Sequence, residues 1–275
     1  MPPRLLLRLH RIGLIAMTYF SIFYVLVNSA AYPIIAGKTR LAQEAFGHSI
    51  TMLGAHFTWL LPAPIRPDTA AGYLQWRGYG VFAIVFSGWA LFSACGAVRR
   101  DEDRGLVEAW MSSGISRLRL LLTRIGFFAV LSVEVVTVAG VAAWLGCLIA
   151  GLPTDVSGLV GESAALWGLT IASFGVGLLV AQLAGDFRSA AGAGGVVLVV
   201  MFLLDSIGRS SLPRPWFTHI SVYALFNQSN AAAPGGAFDL PATLLLLLVG
   251  VATVALAVAA FTRYFRDYAA GLASS

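Results

Sequence analysis

The chain has 275 residues, of which 58% are hydrophobic and 11% are charged. Soluble domains carry about 25% charged residues, so this composition points away from a soluble enzyme or binding module and towards a polytopic membrane protein. The net charge of +5 does not indicate nucleic-acid binding, because the arginines cluster at the ends of apolar stretches. The lipid bilayer is therefore the expected surrounding, and no nucleic-acid partner is expected.

Six stretches are long and apolar enough to cross a bilayer as helices, which takes about 20 residues each. We predict an all-α polytopic membrane fold with a single transmembrane domain over residues 1–275. The predicted spans are residues 12–37, 78–98, 124–150, 162–184, 189–208 and 239–262. Cys95 and Cys147 fall near opposite ends of successive spans, so we expect them to pack in the interior without forming a disulfide.

The arginines predict the orientation of the chain. With the N-terminus inside, 12 of the 18 Lys and Arg residues fall on cytoplasmic segments, as the positive-inside rule requires. The outer segments then carry Lys38, Arg40, Arg66, Arg77, Arg209 and Arg214. We therefore expect a multi-pass protein of the inner or plasma membrane with both termini in the cytoplasm.

Residues 45–65 are also uncharged, and two interpretations compete for them. The first is an amphipathic helix on the outer leaflet, because apolar residues repeat there at spacings of four and three. These residues are Phe46, Ile50, Leu53, Phe57 and Leu60. The second is a seventh span, which would reverse everything after it and remove the arginine bias. We favour the interfacial helix.

Residues 209–238, before the last span, are rich in proline and asparagine with interleaved aromatic residues. This composition favours a short helix or a re-entrant turn on the outer side, and an ordinary aromatic-belt loop is the alternative. In the fifth span, Gly192, Gly194 and Gly195 indicate either close helix packing or a point of flexing.

Glu134 is the one charge that we place deep within a predicted span. An intramembrane carboxylate is costly and normally faces a partner or a watery path. We therefore expect Glu134 to line the translocation path or its gate, or to pair with another helix or a second protomer. Asn28, in the first span, is a weaker candidate for the path.

A polar island at residues 98–124 separates the second and third spans and holds six of the arginines. Its apolar residues fall on one helical face: Leu106, Val107, Trp110 and Met111. Small residues ending at Gly114 predict a bend, after which a helix begins near Ser116 and enters the third span. The region 101–123 is thus expected to contain a short amphipathic helix, either as a surface loop or as a docking element for a cytosolic protein.

The island resembles the loop between the second and third spans of ABC-2-type permease subunits, which are type V exporter-like ABC transporter components. The residues that carry the resemblance are Asp101-Glu102, Arg104-Gly105, Leu106-Val107-Glu108 and Ser116-Arg117. It implies that the island contains the coupling helix that contacts the ATPase. The coupling residues it implies are Asp101, Glu102, Gly105, Leu106, Glu108, Trp110, Met111, Ser116 and Arg117.

The same resemblance implies the assembly around the chain. It implies a second permease half, which is the same chain or a homologue, and two copies of a cytosolic ABC ATPase that bind ATP and Mg²⁺. It also implies cytoplasmic termini, short outer helices before the last span, and an amphipathic N-terminal helix that touches the ATPase. That helix would carry Arg4, Arg8 and Arg11.

Catalytic and metal motifs are missing from the sequence. There is no P-loop pattern, no zinc-type Cys/His spacing, and no GxSxG or HExxH motif. We therefore expect no catalytic residue, metal or cofactor in this chain, and an energy source in another protein. Its Leu, Val, Ala and Gly walls favour a hydrophobic or amphipathic substrate, such as a drug, an antibiotic or a lipid. The alternatives are an ATPase-independent scaffold or assembly factor, and an intramembrane enzyme acting on lipid.

Overall fold

The computed structural model describes the backbone of residues 3–103, 105, 112, 114, 116–210 and 215–273, and side chains from residue 11 to residue 263 within those ranges, except for residue 101. The described part is all-helical, and six of its helices are long and apolar enough to cross a membrane. The predicted fold class and number of spans are therefore confirmed.

The helices are labelled in chain order. They are α1 (Pro3–Ala30), α2 (Tyr32–Ile35), α3 (Arg40–His56), α4 (Ala70–Arg100), α5 (Arg117–Ile149), α6 (Val156–Leu183), α7 (Phe187–Ser210), α8 (Val222–Phe226) and α9 (Leu240–Ala273). Two π-helical turns interrupt α4, at Leu74–Tyr79 and Gly96–Arg100, and the helix continues through Asp101–Asp103. A 3₁₀ turn covers Trp216–Ile220.

Several spans are longer than the charge-free windows that predicted them. Helix α4 already begins at Ala70 and α5 at Arg117, because arginine and glutamine are good helix formers and do not end a helix. Side-chain caps fix both starts: Thr69 Oγ1 accepts the Gly72 N–H at 3.1 Å, and Ser116 Oγ accepts the Arg119 N–H at 3.3 Å.

Helix α6 lies at the centre of the bundle and contacts α9, α4, α5 and α7. Gly161, Gly168 and Gly175 are spaced seven residues apart on α6, and all three face α9 or the chain just before it. A Cβ at Gly168 would lie 3.3 Å from the Leu246 Cβ, and one at Gly175 would lie 2.6 Å from the Gly250 carbonyl oxygen. Small residues in this row allow the two helix backbones to approach closely.

The glycines and cysteines singled out in the sequence have different surroundings. A Cβ on Gly194 would lie 2.7 Å from Leu91 Cδ1 of α4, whereas Gly192 and Gly195 face open space. Close packing is thus confirmed at Gly194 only. Cys95 and Cys147 are both free and fully buried, which confirms their packing role.

Residues 45–65 do not cross the bundle. Rings of Tyr32, which follows α1, and Tyr73, which lies in the first turn of α4, are 5.7 Å apart, and Phe46 of α3 packs on both. The chain therefore leaves α1 and enters α4 at the same end of the bundle. Leu53 and Phe57 of the predicted stripe are exposed. Contact of this face with a membrane surface stays a prediction.

The two ends of the bundle differ in character. One end, called the loop end, holds the described borders of the polar island with the adjoining ends of α6 and α7. At the opposite end, called the far end, residues 215–239 turn back between the helices, and every residue of α8 within them is buried. We call residues 215–239 the re-entrant segment. The expected short helix is thus confirmed, and its burial is unlike an ordinary surface loop, while the re-entry of the segment into the membrane stays a prediction.

Gly175→Ala should destabilise the bundle, because the new Cβ would overlap the Gly250 carbonyl oxygen and force α6 and α9 apart. Overpacking of this kind costs about 1–3 kcal/mol. Gly126→Ala in α5, where a Cβ meets nothing within 4 Å, is the matched control. Apparent melting temperatures in detergent should fall for the first variant and not for the second; equal values would contradict the close contact of α6 with α9.

Candidate coupling site at the loop end

Four of the nine predicted coupling residues have described side chains or turn geometry: Glu102, Gly105, Ser116 and Arg117. The side chain of Asp101 lies outside the described residues, and so do Leu106, Glu108, Trp110 and Met111 entirely. The amphipathic helix expected there therefore stays a prediction. The structure describes the two borders of the island and the surface to which they are attached.

Glycines mark both turns of the island. Gly105 has φ +65° and Gly114 has φ +82°, a left-handed conformation that a side chain disfavours. The Gly105 N–H donates to the Glu102 carbonyl at 3.0 Å and so closes the turn that follows α4. The bend predicted at Gly114 is confirmed, as is the helix that begins after Ser116.

Arg99 attaches the end of α4 to the C-terminal end of α6. Its Nε donates to the Ala181 carbonyl at 2.9 Å, and its Nη1 forms an ion pair with Glu102 at 2.7 Å. The last carbonyls of a helix lack intrahelical donors and carry partial negative charge, so an arginine there is stabilising. Glu102 in turn holds the guanidinium in place. The predicted coupling residue Glu102 therefore belongs to an attachment between helices.

Asp103 attaches the same border to the N-terminal end of α7. Its Oδ2 accepts the Phe187 N–H at 3.0 Å, and Arg100 lies 4.6 Å from the centre of the Phe187 ring. A carboxylate suits this position because the first N–H groups of a helix are unpaired and carry partial positive charge. Asp186 caps the same helix through the Ser189 N–H at 2.9 Å.

These contacts form one unit, which we call the joint: Arg99, Glu102 and Asp103, with residues 181–187 of the α6–α7 turn. Arg124 of α5 lies beside it, almost fully buried, and donates to the Ala97 carbonyl at 2.9 Å in the second π turn of α4. The joint thus ties the end of α4, where the island begins, to α6 and α7, and Arg124 adds a contact with α5.

The sequence that forms most of these helices matches a known protein family. Residues 67–262, well over half of the chain, match the family model described as "Multidrug efflux system permease Rv1217c, C-terminal domain". The chain belongs to this family of efflux permeases. The match covers α4 to the membrane-spanning part of α9 and agrees with the ABC-2-type resemblance of the island. Among the curated proteins compared with the permease, none matches it.

Family membership establishes the coarse role of the chain. It is a multi-pass membrane protein and a transporter subunit, and efflux permeases of this kind work with an ATPase in general. The joint lies within the matched residues.

Two further predicted site residues of the permease lie away from the loop end. Glu134 is exposed on the surface of α5, and no described side chain forms an ion pair with it. Asn28 is buried, and its Nδ2 donates to the Tyr24 carbonyl at 2.7 Å within α1. A place on the translocation path stays a prediction for both. Only Glu134 presents its polar group on an open surface.

Sequence reasoning missed Glu162 and the joint. Glu134 is not the one charge within a span, because α6 begins at Val156 and buries Glu162 completely in its second turn. The predicted span began at residue 162, which treated this carboxyl as a border group. Within the polar island, Arg99 and Asp103 were given no individual role by the sequence. Their partners lie more than 80 residues away along the chain, and no local pattern indicates them.

Arg99→Met should weaken the joint, because it leaves the end of α6 without its donor and Glu102 without its cation. A hydrogen bond to a charged group contributes about 1.5–3 kcal/mol, so the apparent melting temperature in detergent should fall by several degrees. Arg40→Met is the matched control, since Arg40 pairs with Glu44 at 2.8 Å on an exposed helix face. Equal shifts in the two variants would contradict a stabilising joint.

Asp186 should make stability depend on pH. Hydrogen bonds from the Ser189 N–H and hydroxyl hold the pKa of Asp186 below its usual value of about 4. The stabilisation is therefore complete above the unfolded-state pKa and is lost as pH falls through the folded-state pKa. Between about pH 5 and pH 3, the melting temperature of the parent should fall relative to that of Asp186→Asn, because asparagine caps a helix without titrating. If the melting temperatures of the two proteins changed in parallel with pH, the Asp186 cap would not be the source of the pH dependence.

Proposed function

We propose that the chain is the membrane-spanning permease subunit of an ATP-driven, ABC-2-type and type V exporter-like transporter. Two permease halves, identical or homologous, form the translocation path, and two copies of a cytosolic ABC ATPase bind ATP and Mg²⁺. The permease lies in the inner or plasma membrane with both termini in the cytoplasm. The loop end therefore faces the ATPase.

The joint is the observation that carries this proposal. Between two apolar helices, the chain builds a polar segment whose border is bound to the end of α6 and to the start of α7 through Arg99 and Asp103. When the ATPase pair closes on ATP, it would displace the island, and the joint would pass this movement to α6 and α7.

The surface between the helices supports a hydrophobic or amphipathic substrate. An apolar groove of about 440 Å³ runs between α5 and α6, and its lining includes Trp144 and Trp167. A second groove of about 530 Å³ is formed by α5, α6 and α9. Glu134 is exposed and follows Val133, a lining residue of the first groove, along the chain. A drug, an antibiotic or a lipid has the apolar surface that such grooves bury.

Copurification with a cytosolic ATPase tests the proposal. We expect a stable complex whose ATPase activity and substrate efflux both fall at least about tenfold in Glu108→Lys and Trp110→Ala, since interface hot-spot residues contribute about 2 kcal/mol or more. The matched controls are Glu44→Lys and Trp59→Ala, which change exposed residues at the far end. These controls should leave both activities unchanged.

Two outcomes would overturn the proposal. If no ATPase binds the purified permease and the island variants keep full activity, the chain acts as a scaffold or assembly factor. If purified protein without any ATPase converts lipid, and Glu134→Gln abolishes this turnover, the chain is an intramembrane enzyme.

A further inference from the structure

The re-entrant segment is attached to the bundle by its backbone. The Ala231 N–H donates to Glu162 Oε2 of α6 at 3.0 Å, and the next amide, that of Ala232, donates to Gln75 Oε1 of α4 at 3.1 Å. Gln75 also approaches the Glu162 carboxyl group. Two neighbouring amides of one turn are therefore held by polar side chains from two different spans.

The contact between the segment and α6 is close. A Cβ on Gly158 would overlap the carbonyl oxygen of Ala231, so this glycine lets the turn lie directly on the helix. Ala231, Ala232 and Glu162 are all buried. The segment therefore closes the space between the helices at the far end.

Side chains also tie the segment to α7. Ser221 Oγ donates to the Met201 carbonyl at 2.6 Å, and Asn227 Nδ2 donates to Asp205 at 2.7 Å. Asp205 is fully buried and pairs with Arg209 at 3.2 Å. The segment is thus attached to α4, α6 and α7, the helices whose opposite ends meet in the joint.

A buried carboxyl group at position 162 stabilises the fold less than an apolar side chain of similar size would. Burying a carboxyl group carries a desolvation cost that an apolar side chain of similar size would not carry. Gln75, which accepts the Ala232 N–H, lies within the π turn Leu74–Tyr79, and such turns occur frequently at functional sites. A polar side chain that binds a loop backbone can release it, whereas a packed apolar side chain gives no such alternative.

Space for water lies beside this attachment. A small cavity of about 50 Å³ is lined by Gln75 and three polar side chains of the re-entrant segment, together with apolar residues. The three side chains are Asn227, Ser229 and Asn230. A cavity of this size holds about one water molecule, which could replace a released amide as a hydrogen-bond partner.

From these contacts we infer that the re-entrant segment is a plug for the far end of the permease and that Glu162 and Gln75 are its latch. In the closed state the two side chains hold the amides of Ala231 and Ala232. During transport these hydrogen bonds break and the plug moves away from α6. The opening step, though not the latch itself, rests on the proposed function.

Hydrogen exchange of the plug amides, measured by mass spectrometry on the full-length permease in nanodiscs, tests the latch directly. Glu162→Leu should speed exchange in peptides covering residues 222–239 by about tenfold or more, because the free energy of local opening becomes smaller. Glu162→Gln should keep the protection, since its amide oxygen still accepts the Ala231 N–H. Gln75→Leu should speed exchange as well. Glu44→Leu is the matched control, the same substitution at an exposed carboxylate of α3.

The outcomes separate the latch from a structural role. Faster exchange confined to residues 222–239 supports the latch. Unchanged exchange in both leucine variants, or an equal rise in peptides of α6 and α9, overturns it. With the ATPase partner present, ATP and vanadate should speed exchange of the same peptides in the parent protein. Unchanged exchange in that experiment overturns the opening step, while absence of any ATPase partner overturns only the proposed function.

Discussion

Close approach of α6 to its neighbours is the constraint on which this structure depends. Gly161, Gly168 and Gly175 place the α6 backbone against α9 and the chain before it, and Gly158 does the same for the re-entrant segment. Apolar side chains gain little from leaving lipid for protein, so helices in a membrane associate mainly through such backbone contacts. The seven-residue spacing keeps them on one side along the helix.

A second rule governs both ends of the bundle, namely that buried backbone polar groups must find partners. At the loop end, Arg99 donates to the carbonyls that end α6, and Asp103 accepts from the amide that begins α7. At the far end, Glu162 and Gln75 accept hydrogen bonds from the amides of a turn that lies between helices instead of in water. Non-helical backbone within a membrane protein is tolerated only with such partners.

Composition and charge-free windows were enough to predict the six spans, the short helix before the last span and the helix that begins after Ser116, because these depend on local patterns. They failed at Ala70 and Val156, where helices start beyond the charge-free windows and carry polar residues inside. The seven-residue glycine repeat of α6 is visible in the sequence, but the helix that it faces is known only from the tertiary structure. Arg99 and Glu162 needed the tertiary structure, since their partners are about 70 to 80 residues away along the chain.

The position of Glu162 on α6 has a mechanical consequence. Ala181, whose carbonyl accepts the Arg99 hydrogen bond, follows on the same uninterrupted helix, about 28 Å further along its axis. Unlike α4, α6 contains no π turn, and it has no proline at which it could bend. Movement at one end of α6 can therefore be passed along the helix to the other end. The same helix thus carries both the contact that holds the re-entrant segment and the contact that holds the joint.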